Sequence, residues 1–129
     1  MRVLSLFDWI ACWYEALQRA WILIDVYYAS EIDKYAIQIA QKNHPDIIQL
    51  GDVNDWESWN LEWIDLIIWW SPCQWFSMAW KMLNFNDPRS ALFFKFVDIV
   101  KHYKLNTPIF EQFGIQKQIR SSFGRVVSI

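Results

Sequence analysis

"RVLSLFDWIAC", residues 2 to 12, decides the fold. Its opening, "RVLSLF" (2–7), is mostly apolar and lacks the polar alternation of a half-solvated strand, so it reads as a strand buried on both faces. An acid, Asp8, follows at once. Beyond it, "YEALQRAWI" (14–22) sets Ala16, Leu17 and Ala20 at helical spacing. A doubly buried strand leading through an acidic turn into a helix is the opening unit of a parallel α/β sheet.

The same alternation continues outward. "DVYYASEI" (25–32) reads as a second strand, and "DKYAIQIAQKNHP" (33–45) as a helix whose Tyr35, Ala36, Ile39 and Ala40 form one face, ending near Asn43 and Pro45. "DIIQLGDVND" (46–55) gives a short strand and a turn. "WIDLIIWW" (63–70) is the strongest strand in the chain, "RSALFFKFVDIVKHYK" (89–104) an amphipathic helix, and "TPIFEQFG" (107–114) an extended segment entering a loop. The predicted fold is therefore α/β, a doubly wound, mostly parallel sheet of the Rossmann-like kind.

Ligands of such sheets bind outside the carboxyl ends of the strands. Those ends carry Asp8, Glu31, Asp52, Cys73 and Glu111. A single acid after a strand is commonly a helix cap or a solvated carboxylate. Polar residues after all five strands point instead to a site, and carboxylates after strands one to three suit a nucleoside-bearing cofactor. That pattern alone leaves a nicotinamide and S-adenosylmethionine both open. Cys73 has two readings, a small buried hydrophobe or an exposed nucleophile. Pro72 forces a turn, and Ser71 and Gln74 make the surroundings polar, which favours the nucleophile.

Composition narrows the rest. The net charge of −2 over 129 residues argues against a non-specific basic coat for nucleic acid. No stretch approaches the roughly 20 apolar residues that span a bilayer, and Asp8 interrupts what a signal peptide would need, so a soluble, cytoplasmic protein is expected. The two cysteines, Cys12 and Cys73, have neither CxxC nor Cys/His spacing. Free thiols and no metal site follow.

Taken together, these residues resemble the DNA (cytosine-5) methyltransferases. "LFDWIAC" (6–12) is similar to that family's first motif, normally Phe-Asp-Gly-Ile-Ala, and "ASEIDKYA" (29–36) to its second. "GDVND" (51–55) is similar to the third, "SPCQWFS" (71–77) to the Pro-Cys-Gln loop, and "FEQF" (110–113) to the Glu-Asn-Val motif, with Gln112 and Phe113 replacing Asn and Val. The resemblance implies S-adenosylmethionine as cofactor, held by Phe7, Asp8, Trp9, Ile10, Ala11, Glu31, Ile32, Asp52, Val53, Ser71 and Pro72. In it, Glu31 takes the ribose and Asp52 the adenine. It implies Cys73 as covalent catalyst, Glu111 as the group that holds the target base, Gln74 and Ser77 as substrate contacts, and double-stranded DNA with a flipped cytosine as partner. The expected chain is one unit, residues 1–129, the N-terminal part of a catalytic domain whose target-recognition region lies elsewhere. The alternative is a non-catalytic nucleotide-binding module of the same fold, truncated or sterically blocked. A nicotinamide enzyme is disfavoured by the absence of G-x-G-x-x-G.

One feature is abnormal. The chain has 3 glycines and 10 tryptophans, against a usual glycine share of ~7%. Trp9, Trp13, Trp21, Trp69, Trp70, Trp75 and Trp80 fall where the family pattern has or accepts glycine, whereas Trp56, Trp59 and Trp63 belong to a surface segment before the fourth strand. UGA codons, read as glycine in some bacterial codes and as tryptophan in others, would give this pattern.

Overall fold

The computed structural model describes residues 1–69, 88–103 and 109–110. Its elements are β1 (Arg2–Leu6), α1 (Cys12–Arg19), β2 (Val26–Ser30), α2 (Lys34–Asn43), β3 (Ile48–Gln49), a 3-10 helix (Val53–Ser58), β4 (Leu66–Trp69), α3 (Pro88–His102) and β5 (Ile109–Phe110). The strands form one sheet in the order β3-β2-β1-β4-β5, and every pairing is parallel. The chain winds from β1 out to β3, then returns to the other side of β1 for β4 and β5. The reversal puts the topological switch point between β1 and β4, and doubly wound sheets bind ligands at the carboxyl ends of the strands at that point.

Strand periodicity builds a core on each face. Val3 packs with Tyr27, Ala29, Leu66 and Ile68 beneath Tyr14 and Leu17 of α1 and Ala40 of α2. Leu4 and Leu6 face the other way, with Tyr28, Ile67 and Trp69, beneath Phe96, Ile99 and Val100 of α3. Leu4, Leu6 and Ile67 are fully buried, and each contributes roughly 1.5–3 kcal/mol of hydrophobic stabilisation. Burial on both faces is why β1 and β4 carry almost no polar alternation.

The helices correct the sequence reading in detail. Helix α1 buries Tyr14 and Leu17 and leaves Ala16 and Ala20 exposed. It ends at Arg19 because Trp21 turns into the left-handed region at φ 58°. Its Trp21 N–H donates to the Gln18 carbonyl at 3.0 Å and the Ile22 N–H to the Leu17 carbonyl at 3.0 Å, the paired closure of a Schellman motif. In α2, Ala36 and Ala40 face the core while Tyr35 and Ile39 are exposed. Asp33 caps that helix by accepting from the Tyr35 and Ala36 amides, both at 2.9 Å. Trp56 and Trp59 are half-buried against the α3 face, so only Trp63 fits the expected surface segment.

Candidate functional site

Three of the five strand ends fall within the described residues, and they converge through one residue, Ser30. Its carbonyl accepts the Phe7 amide at 2.9 Å and the Asp8 amide at 3.2 Å, tying the turn after β1 to the end of β2. Its hydroxyl donates to the Gly51 carbonyl at 2.8 Å, tying in the turn after β3. The short, buried Ser30 side chain therefore sets the spacing of the three acids. Its position at a strand end was its only signal in the sequence.

Asp8 is the most unusual of these acids. It is 3% exposed. Tyr27 donates to its Oδ1 at 2.6 Å, whereas Oδ2 has no hydrogen-bond partner among the described residues. Burial pushes the Asp8 carboxyl up from its ordinary 3.8; the Ser5 and Tyr27 hydroxyls work against that shift and the nearby charge of Glu31 adds to it. The Tyr27 hydroxyl is itself driven well above its ordinary range by burial and by Asp8. Sequence reasoning missed Tyr27, because a tyrosine in a buried strand looks like any other large apolar residue.

Glu31 is held differently. Its Oε1 accepts the Ile32 amide at 2.8 Å and the Asp33 amide at 2.9 Å, and its Oε2 accepts the Trp9 amide at 2.9 Å. Carboxylate oxygens each take two donors, so Oε2 can still accept a ligand hydroxyl. Asp52 starts the 3-10 helix, accepting the Asn54 amide and side-chain Nδ2 on Oδ1, each at 2.8 Å.

The remaining residues expected at the cofactor site divide cleanly. Phe7 is half-buried, its ring stacked 6.1 Å from that of Trp69. Ala11 and Val53 are buried, Ile10 is half-buried, and Ile32 is 73% exposed. Trp9 is 60% exposed beside Asp8 and Glu31. Phe7, Trp9 and Ala11 all have left-handed backbones, with φ of 60°, 53° and 64°. Ser71, Pro72, Cys73, Gln74, Ser77 and Glu111 lie outside the described residues. Cys12, the other cysteine, is free and exposed.

The site is a set of acceptors: carboxylates converge from three adjacent strands, and one buried oxygen, Asp8 Oδ2, has no hydrogen-bond donor among the described residues. The architecture is that of a doubly wound, Rossmann-like α/β protein. A family model for C-5 cytosine-specific DNA methylases matches residues 1–111. The orphan methyltransferase M.Rho11sI of Bacillus phage rho11s is 36% identical over 113 residues, 86% of this chain and 22% of that protein. The type II methyltransferase M.NgoBV of Neisseria gonorrhoeae is 32% identical over 90 residues, 70% of this chain and 21% of that protein. Among solved structures, a DNA modification methyltransferase encoded within an E. coli prophage superposes with a TM-score of 0.67 at 26% identity, covering 98% of this chain and 36% of that one. A mutant of Spodoptera frugiperda DNMT2 superposes at 0.65 and 22% identity over 96% of this chain and 39% of its own, which speaks to the fold alone. The chain belongs to the C-5 cytosine-specific DNA methylase family. It spans about a fifth of the length of those two curated relatives. No helix among the described residues is long and apolar enough to cross a membrane.

Proposed function

We propose that this chain is the cofactor-binding and nucleophile-bearing part of a DNA (cytosine-5) methyltransferase, acting on a cytosine flipped out of double-stranded DNA. The observation that carries the reading is the convergence of Asp8, Glu31 and Asp52 on one sheet edge, beside a strand, β4, that Ser71-Pro72-Cys73 follow in the sequence. Strands β4 and β5 are paired, Ile68 with Ile109 and Trp69 with Phe110. Their next residues along the chain lead to Cys73 and to Glu111.

In this reading Glu31 accepts the ribose hydroxyls of S-adenosylmethionine, Asp52 the adenine amino group, and Asp8 Oδ2 is the acceptor left for a cationic group. Bound there, the cofactor would supply an electrophilic methyl group for C5 of cytosine, with its sulfonium left as a neutral thioether. Cytosine C5 is a weak nucleophile. The Cys73 thiolate adds to C6, and the displaced electron pair enriches C5. Glu111 hydrogen-bonds N3 and the exocyclic amine and stabilises the charge that develops in the ring. Once that pair has bonded the methyl group, loss of the C5 proton frees the C5–H pair to restore the C5–C6 double bond, and the C6–S bond breaks to release the thiolate. Flipping the base costs a few kcal/mol, which contacts to the flipped base must offset.

Trapping on DNA containing 5-fluorocytosine tests the reading, since fluorine at C5 blocks the proton loss that frees the cysteine. With S-adenosylmethionine, a denaturation-resistant protein–DNA adduct is expected, absent in Cys73→Ala. Cofactor binding by calorimetry without any adduct would instead leave the non-catalytic nucleotide-binding module.

A further inference from the structure

We infer that positions 9 and 21 are glycine positions, filled by glycine in the cell that owns this gene. Seven tryptophans are described, and only Trp9 and Trp21 have positive φ, 53° and 58°. Left-handed backbone brings a Cβ against the neighbouring carbonyl, and bulky side chains rarely enter it. Trp21 stands at the first residue beyond the cap of α1, between the two closing hydrogen bonds of the Schellman motif. That is the position at which helices most strongly favour glycine. Its side chain is 93% exposed, so its bulk returns no burial for the strain.

Trp9 repeats the pattern in a tighter place. It lies between left-handed Phe7 and Ala11, its amide aimed at Glu31 Oε2 and its side chain 60% exposed. A residue without Cβ there lets the backbone approach a ligand. The matched contrast is Trp63. It is equally exposed, at 61%, yet it is not among the positive-φ residues and its ring sits under the Arg2 guanidinium at 4.7 Å. Trp59 has φ −70° and Trp56 an edge contact with His102 at 5.3 Å. Trp69 is buried with its ring 4.3 Å from Phe96, so the strain singles out only two positions. The deficit of glycine, 3 against 10 tryptophans, agrees in direction. UGA decoded as glycine in the source and rendered as tryptophan accounts for both observations.

The inference stands on backbone geometry and not on methyl transfer, so either can fail alone. Sequencing the gene should show UGA at codons 9 and 21 and UGG at 56, 59 and 63. UGG at codon 9 or 21 overturns it. Independently, Trp9→Gly and Trp21→Gly in the 129-residue chain should each raise the thermal midpoint by about 4 °C, while Trp63→Gly lowers it. A fall at 9 or 21 matching the fall at 63 also overturns it.

Discussion

The turns after β1 and β3 bring an acid to the same sheet edge and use it in opposite ways. Asp52, half-exposed, is bonded on Oδ1 by Asn54, two residues further along the chain, and serves as a cap. Asp8 is buried, accepts on Oδ1 from a distant tyrosine, and has its Oδ2 without a hydrogen-bond partner among the described residues. A capping acid stabilises its own fold. A buried, half-satisfied acid costs stability, and such groups mark sites where a ligand completes the bonding.

The largest expected effect comes from removing the hydroxyl that donates to Asp8 Oδ1. Tyr27→Phe keeps the ring and deletes the hydroxyl, so the buried carboxylate loses that hydrogen bond at a cost of about 2 kcal/mol. Chemical denaturation at neutral pH measures it. A loss no larger than that of an exposed tyrosine, such as Tyr35→Phe, breaks the contrast between the two turns.

Next is Asp8→Asn, which keeps an acceptor for Tyr27 and removes the buried charge. Because burial raises the Asp8 pKa, its favourable contribution is fully present below 3.8 and is lost as pH rises through the folded value. At neutral pH the ionised group is a net cost. The variant should therefore be more stable by about 1 kcal/mol at pH 7 and gain little near pH 3. Unfolding curves across that range give the answer; a uniform gain at every pH would assign the effect to packing. S-adenosylmethionine affinity should fall in the same variant if Asp8 Oδ2 meets a cationic group.

The smallest effect belongs to Asp52→Ala. Losing a cap acceptor costs about 1 kcal/mol or less. Native-state hydrogen exchange should show faster exchange at Asn54, while the amides of β1 and β2 keep their protection. Spread of the loss to the Asp8 turn would show that the Ser30 hydrogen bonds couple the two turns energetically as well as spatially.

Much of this was legible in advance, because buried strands and strand-end acids are local patterns. β1, β2, β4 and α3 stand close to where their apolar runs place them. Helix faces were less legible. Ala16, Ala20, Tyr35 and Ile39 fit a helical period but point to solvent, since periodicity defines a stripe and the position of the sheet decides which stripe is buried. Trp56 and Trp59 depart from the expected surface segment for a related reason: the 3-10 helix docks on α3, which lies far along the chain.

By itself, the sequence determined the order of strands and helices, the acids at the carboxyl edge, the family motifs and the imbalance between glycine and tryptophan. All are read along one dimension. Tertiary structure decided which acid is buried, that Tyr27 serves Asp8, that Ser30 binds three strand ends together, and that Trp9 and Trp21 carry left-handed backbones. Those outcomes depend on burial, on hydrogen bonds between residues some twenty positions apart and on the backbone each turn must adopt, so they exist only once the strands are side by side.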